Sequence, residues 1–592
     1  MSSSTKPHPE IQPAVAINHA ATQTIKGKDA FIQQLLCDGI DTIFGNPGTV
    51  EEALIDTLPD YPEMKYIMGL QEAAVTGMAD AYARATAKPA VVQVHASVGL
   101  GNAMGILYAA KQCYTPMVMY AGETYADLLD FYGFLGGDTV AIAKPVTKWA
   151  DRVSHPSQLL RNLRRAVKIA MTPPQGPVFL AIPMNVLDSD ILAQIKPTSY
   201  VDSAVLPQAE TVEHIAKTLL NAKNPLLLIG DQVHLSGGQA EVHTLAELIG
   251  APIYGCGYSQ ISASFKHPLF MGLTGFIFAD RTVSITREAD VIVALGTPLF
   301  PELFPTLEPY FAPDAKLIQV DLNEWELGKN FSTDTALRAD PKLTLQAVIS
   351  AIKAMKAPGL SDMAGLIETR KQAVVAQKEA MTESMKTQYA AEKGKPVMMP
   401  SEALGIIASH LPKNTAVFDE SVTCIQSFLS QWQPENSDDY FMCRGGCLGQ
   451  GLPGGIGLKL AYPDRPVVAL SGDGAAMYTN QALWTAAHYK MDITFFILNN
   501  GTYRVLKTNL IAYWKRLDTE PRPFHNLDLS DPAINFVDLA SSMGVQGYKV
   551  TTAAELHSLL ADIYGNPDKH RGPKLIDVLI DGSIDPNAPS PL

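Results

Sequence analysis

Short apolar runs recur along this chain, each followed by a longer amphipathic stretch, and that alternation leaves few folds open. Asp41-Thr-Ile-Phe44, Lys65-Tyr-Ile-Met68, Ala90-Val-Val-Gln-Val94 and Pro116-Met-Val-Met-Tyr120 are examples. Runs of this length suit buried strands and the stretches between them suit helices, so the pattern predicts βαβ units around parallel sheets. With 592 residues, 47% hydrophobic and 18% charged, the chain is long enough for several cores and three or four domains.

The pattern breaks at definable places. Residues 1–26 are polar and read as a flexible segment; a first α/β unit spans 27–196, ending after Gly176-Pro-Val-Phe-Leu-Ala-Ile-Pro183. A second unit spans 209–352, with runs at Pro225-Leu-Leu-Leu-Ile229, Ala289-Asp-Val-Ile-Val-Ala-Leu295 and Leu317-Ile-Gln-Val-Asp321. Residues 353–395, rich in Ala, Lys, Glu, Met and Gln, read as a helical linker. A third unit fills 396–592, with runs at Val467-Val-Ala-Leu470, Ile493-Thr-Phe-Phe-Ile-Leu498 and Leu575-Ile-Asp-Val-Leu-Ile580; its proline-rich tail from Asp585 reads as mobile. The expected fold class is α/β, with three doubly wound parallel-sheet domains.

The formal net charge of -14 speaks against a nucleic-acid partner, because phosphate binding is driven by clustered Lys and Arg. No run is long and apolar enough for a membrane span, and Met1–Lys26 lacks the apolar centre of a secretory signal. A cytoplasmic location follows as the expectation. Six cysteines are scattered without zinc-ligand spacing and read as reduced, structural thiols.

Chemistry is concentrated in Gly472-Asp473-Gly474, followed after 24 residues by Asn499-Asn500-Gly501-Thr502. The glycines allow a tight turn against a ligand, and a helical stretch expected over Ala476–Lys490 would offer N–H groups to a diphosphate. A carboxylate with an amide oxygen supplies hard ligands for Mg²⁺ or Ca²⁺. A strand–helix–strand unit brings both ends to one sheet edge, where open α/β sheets bind ligands. In the first unit, Glu72 stands where a strand meets the Ala-rich stretch that begins Leu70-Gln-Glu72. A carboxyl there is either a helix-dipole partner or, in a dry pocket, a group able to share a proton near neutrality.

The Gly472–Thr502 segment resembles the diphosphate-binding motif of thiamine-diphosphate enzymes. Gly45-Asn-Pro-Gly-Thr49, Leu70-Gln-Glu72, Val94-His95, Gly99-Leu-Gly-Asn-Ala-Met-Gly105, Lys148-Trp149, Asp419-Glu-Ser421 and Ala482-Leu-Trp-Thr-Ala-Ala487 resemble benzoylformate decarboxylases, within the decarboxylase and acetolactate-synthase-like group. The diphosphate module is carboxy-terminal, unlike the transketolase arrangement. The resemblance implies pyrimidine-binding, middle and diphosphate-binding domains in that order. It makes Asp473, Asn500 and the Thr502 carbonyl metal ligands, and places Gly472, Gly474 and Ala475 along the diphosphate. Glu72 becomes the carboxylate at the aminopyrimidine, and His95 a proton-relaying histidine. Thr49 either caps a helix or touches the substrate carboxylate. Leu448 is either core packing or the wedge that bends the cofactor, beside the Gly446 carbonyl, with Ser421 and Thr423 as further cofactor contacts.

Two departures bear on substrate. A second active-site histidine of the family falls on Leu303, at the end of Gly296-Thr-Pro-Leu-Phe-Pro-Glu-Leu303, and His267 matches a structural one instead. Phe134, Leu135 and Asn509 form a different substrate wall, followed by a basic run of Arg504, Lys507, Lys515 and Arg516 that is either a solvated face or lines the pocket. No Gly-rich fingerprint follows Leu227-Leu-Ile-Gly230, so FAD is not expected. The implied activity is non-oxidative decarboxylation of a 2-oxo acid through a carbanion and enamine. The alternatives are a carbon–carbon lyase or carboligase such as a 2-hydroxyacyl-CoA lyase, acting on an acyl-CoA, and an inactive binding subunit. A homodimer or homotetramer with interfacial active sites is implied as well.

Overall fold

A computed structural model describes residues 22–584 other than 258, 301 and 357–359; the N-terminal residues to 21 and the tail from 585 lie outside them. Three parallel sheets of six strands form the frame. In the first, neighbours run Lys65–Met68, Thr42–Gly45, Ala90–Val94, Met117–Glu123, Val178–Pro183, Trp149–Arg152. In the last they run Tyr440–Met442, Ala416–Glu420, Val467–Gly472, Thr494–Asn499, Lys574–Leu579, Gln546–Val550. Numbered as they occur along each domain, both sheets have the order 2-1-3-4-6-5. The middle sheet runs Phe270–Leu273, Ile253–Gly255, Pro225–Ile229, Val291–Leu295, Lys316–Asp321, Thr335–Arg338, which is 3-2-1-4-5-6.

Helices cover both faces of these sheets, and for that reason central strands such as Ala90–Val94 and Met117–Glu123 are buried at every position. Edge strands such as Thr335–Arg338 alternate between half-buried and exposed positions. The expected flexible segment 1–26 needs correcting at its end. Gln23–Lys26 is a strand paired antiparallel with Asp190–Ala193, so its backbone groups are used in a ladder. Within the expected linker a helix runs Leu360–Glu392, and the middle domain's last helix, Pro341–Lys356, continues past residue 352. All six cysteines are outside disulfides, and no helix among the described residues is long and apolar enough to cross a membrane.

Two buried guanidinium groups join the domains. Arg84, at the far end of the helix Glu72–Thr86, pairs with Asp80 (3.2 Å) and donates to the Met442 carbonyl (3.2 Å) and Gln260 Oε1 (3.0 Å). It also lies over the rings of Phe418 and Phe441. Arg444 pairs with Asp231 of the middle domain and donates to the Cys113 carbonyl (3.0 Å) of the first. Each arginine therefore touches all three domains.

Candidate active site

The first sheet's strands Thr42–Gly45, Lys65–Met68 and Ala90–Val94 end at one edge, and from that edge come Asn46–Thr49, Glu72 and His95. Glu72 opens its helix, but the cap is made by the neighbouring Gln71, whose side chain accepts from the Ala74 N–H (3.1 Å). The Glu72 carboxylate is instead buried, only 5% exposed, and takes one hydrogen bond from Asn46 Nδ2 (3.2 Å) and another from Asn102 Nδ2 (3.0 Å). A residue needed only for the helix dipole would not be desolvated between two amides.

His95 Nδ1 lies 2.9 Å from Glu51 Oε2. Glu51 is fully buried, and its other oxygen accepts from the N–H groups of Gly122 (2.7 Å) and Ala96 (3.4 Å). Burial pushes the Glu51 carboxyl up, while the hydrogen bonds from His95 and Gly122 pull it back. Because a carboxylate can only accept, Nδ1 donates and Nε2 is left free to accept, on a side chain 19% exposed. The imidazole rests directly on Gly48, where a Cβ would stand 1.9 Å from Nδ1, so no other residue fits there. Ala96 takes φ +48°, a strained conformation for a residue with a side chain, at the point where its N–H turns toward Glu51. Among the described residues His95 is therefore bonded on one nitrogen only, unlike a fully satisfied core histidine. Thr49 is exposed and opens a short turn whose cap position is Gly48, with no side-chain capping bond, so the capping role falls away.

The second cluster sits at the matching edge of the last sheet. Asp473 follows the strand Val467–Gly472, and its oxygens accept from the Gly474 N–H (2.8 Å) and the Gly501 N–H (2.7 Å), tying the two halves of the motif together. Asn500 Oδ1 accepts from the Thr502 N–H (3.0 Å). Burial raises the Asp473 carboxyl, and the surrounding backbone N–H groups lower it. The continuous helix expected over 476–490 is not formed. A single turn, Asp473–Ala476, is followed by a separate helix, Ala482–His488. Between them the buried Thr479 donates to the Gly449 carbonyl (2.7 Å), which diverts the chain toward the loop that carries Leu448.

These residues fit a metal-bound diphosphate cofactor. Among the described residues Ser421 Oγ is buried without a partner at hydrogen-bond geometry, and a Cβ at Gly446 or Gly472 would meet only open space. Gly446 has φ +74°, which suits glycine and turns its carbonyl out of regular pairing. Leu448 is half-buried and belongs to none of the three hydrophobic cores, which argues against plain packing. Thr423 is half-buried beside Ser421, and Ala475 is buried in the single turn. One carboxylate with amide and carbonyl oxygens matches the ligands Mg²⁺ takes when phosphate completes its shell.

The residues of the expected substrate wall, and Leu303, differ in their surroundings. Phe134 is 96% exposed and Leu303 is 67% exposed, while the Leu135 carbonyl accepts from Ser97 Oγ (2.9 Å) and Asn509 Oδ1 is buried without a partner. The basic run lies at the surface, with Lys515 and Arg516 exposed, and makes local contacts. Lys507 pairs with Asp528 (2.5 Å), Arg504 reaches the Ser583 carbonyl (3.4 Å), and Arg516 lies over Phe304, next to Leu303. Glu51, Asn46 and Asn102 were not singled out by the sequence, although the two asparagines stand inside the motifs that carry the resemblance.

Models of the thiamine pyrophosphate enzymes match the chain in three parts: the N-terminal TPP binding domain over 25–142, the central domain over 212–348 and the C-terminal TPP binding domain over 421–578. Benzoylformate decarboxylase of Pseudomonas aeruginosa is 30% identical over 535 residues, covering 88% of this chain and 94% of that protein. The acetolactate synthase large subunit of Cyanidium caldarium is 27% identical, covering 95% of each. Among solved structures, the thiamine diphosphate-dependent 4-hydroxybenzoylformate decarboxylase of Rhodococcus jostii superposes with a TM-score of 0.80 at 27% identity, over 94% of this chain and 99% of that one. The chain belongs to the thiamine pyrophosphate enzymes, in the group that holds benzoylformate decarboxylases and acetolactate synthases.

Proposed function

We propose that this enzyme decarboxylates a 2-oxo acid without oxidation, on an aromatic or branched substrate. The observation that carries this reading is the Glu51–His95 pair, which presents a singly bonded histidine at the same sheet edge as Glu72. Thiamine diphosphate, when bound, supplies a nucleophilic carbon and an electron sink for cleavage beside a carbonyl. Asp473, Asn500 and the Thr502 carbonyl would hold its diphosphate through Mg²⁺, with Gly472, Gly474 and Ala475 alongside and Ser421 and Thr423 as hydroxyl contacts. Leu448 would pack against the cofactor and the Gly446 carbonyl would accept from its amino group. Glu72, buried and held by Asn46 and Asn102, would exchange a proton with a pyrimidine nitrogen of the cofactor. His95 gives and takes a proton at Nε2, and Thr49 offers its hydroxyl to the substrate carboxylate.

Pure enzyme with Mg²⁺ and thiamine diphosphate should release CO₂ and an aldehyde from at least one of benzoylformate, 4-hydroxybenzoylformate, pyruvate or a branched 2-oxo acid. Absence of CO₂ from the whole panel would overturn the proposal. A carbon–carbon lyase or carboligase is favoured by one observation: Leu303 offers no proton donor, and cationic Arg516 lies over the adjacent Phe304. Acetolactate from pyruvate, or cleavage of a 2-hydroxyacyl-CoA, would select it. A homodimer or homotetramer is supported by the exposure of Phe131 (76%), Tyr132 (89%) and Phe134 (96%) on one short segment, an apolar surface that a second copy would cover.

A further inference from the structure

We propose that Glu420 is a positioning residue for the cofactor, one that fixes the turn presenting the Gly446 carbonyl and Leu448 by gripping the backbone just after it. Glu420 ends the strand Ala416–Glu420 and is fully buried. Its Oε1 accepts from the N–H groups of Gly449 (2.8 Å) and Gln450 (2.9 Å), and its Oε2 from the Gly451 N–H (2.9 Å) and Ser471 Oγ (3.3 Å). All of its hydrogen bonds come from backbone N–H groups and a hydroxyl, at the start of the helix Gly451–Ala461. This is a large commitment of a buried carboxylate to one short stretch of chain.

That stretch needs such a hold. Gly445, Gly446 and Gly449 have φ of +72°, +74° and +94°, a path with no regular backbone pairing of its own. Gln450 Nε2 ties the turn to itself, donating to the carbonyls of Arg444 (2.7 Å) and Cys447 (2.7 Å), and Thr479 holds the Gly449 carbonyl, while the three consecutive N–H groups of 449–451 are held at the sheet edge by Glu420. Ser471 stands directly before Gly472-Asp473, so the same carboxylate joins the wedge loop to the diphosphate strand. An arrangement fixed before the cofactor arrives costs less ordering on binding.

The inference rests on the reading that Gly446 and Leu448 face the cofactor, and three measurements separate the two. In the full-length wild-type enzyme stripped of metal and cofactor, hydrogen exchange at amides 449–451 should already be strongly protected. Free exchange there would overturn the role of Glu420 whatever the cofactor does. Titration by tryptophan quenching at fixed Mg²⁺ should show thiamine diphosphate binding about tenfold or more weaker in Glu420→Gln. The KM for the 2-oxo acid at saturating cofactor should stay near wild type, and Glu420→Asp should recover part of the affinity. Should Glu420→Gln fail to fold, Glu420→Asp, with its shorter reach, carries the comparison. Unchanged affinity in a folded variant refutes the proposal, and a wild-type enzyme that binds no thiamine diphosphate refutes the cofactor reading along with it.

Discussion

Replacing Glu51 by Gln tests how the enzyme aims its histidine. Glu51 Oε1 serves the Gly122 and Ala96 N–H groups, and an amide oxygen can take over both, so the fold should survive. The other atom, now an NH₂, must face His95 Nδ1 across the same 2.9 Å. It donates where the carboxylate accepted, which drives the imidazole to the opposite tautomer and places the hydrogen on Nε2. A hydrogen bond to a buried charged group contributes about 1.5–3 kcal/mol, so losing it from the reacting state predicts a fall in kcat of about tenfold to a hundredfold. Turnover of the best 2-oxo acid gives the rate, and nitrogen NMR of the ring gives the tautomer. A folded Glu51→Gln enzyme with wild-type kcat and an unchanged tautomer would refute the argument.

Glu72→Gln should lower turnover by about a hundredfold or more while the melting temperature stays near wild type, and proton exchange at the cofactor's reactive carbon, followed by NMR, should slow in step. Asp321 predicts a pH effect on stability: burial raises its carboxyl to about 7, and its Oδ2 has no partner. An unfolded Asp ionises near 4, so this group's contribution is fully present below about pH 4 and is lost as pH rises toward 7, by up to about 4 kcal/mol. Asp321→Asn should therefore flatten the fall in stability across that window and make the protein more resistant to urea at pH 8; an unchanged slope counts against it. Arg444→Met should cost about 3–5 kcal/mol by stranding the buried Asp231, and adding Asp231→Asn should restore much of it in urea unfolding.

The sequence made the central strands legible because each is an uninterrupted apolar run, as at Pro225–Ile229 and Ala90–Val94. It hid the strand Ala416–Glu420, whose last two residues are carboxylates and look like loop, although both are completely buried. Edge strands such as Trp149–Arg152 and Gln546–Val550 are half in solvent and carry no apolar run. Glu51 and Glu52 are indistinguishable as neighbours in sequence, yet one is fully buried against His95 and the other exposed. Only the path of the turn separates them. The break near Thr479 was equally invisible, since the hydrogen bond that causes it goes to Gly449, far away along the chain.

Arg84 and Arg444 have a consequence for anyone recombining this enzyme with its relatives. Arg84 closes the helix that begins at Glu72, and Arg444 opens the turn that carries Leu448, while Gln260 and Asp231 receive them from the middle domain. A chimera that exchanges the middle domain must bring residues equivalent to Asp231 and Gln260, or it will leave buried Arg444 without the carboxylate it pairs with and Arg84 without one of its acceptors. The three domains should accordingly melt in one transition, and the boundaries drawn between them mark sheets rather than parts that can be taken out and folded alone.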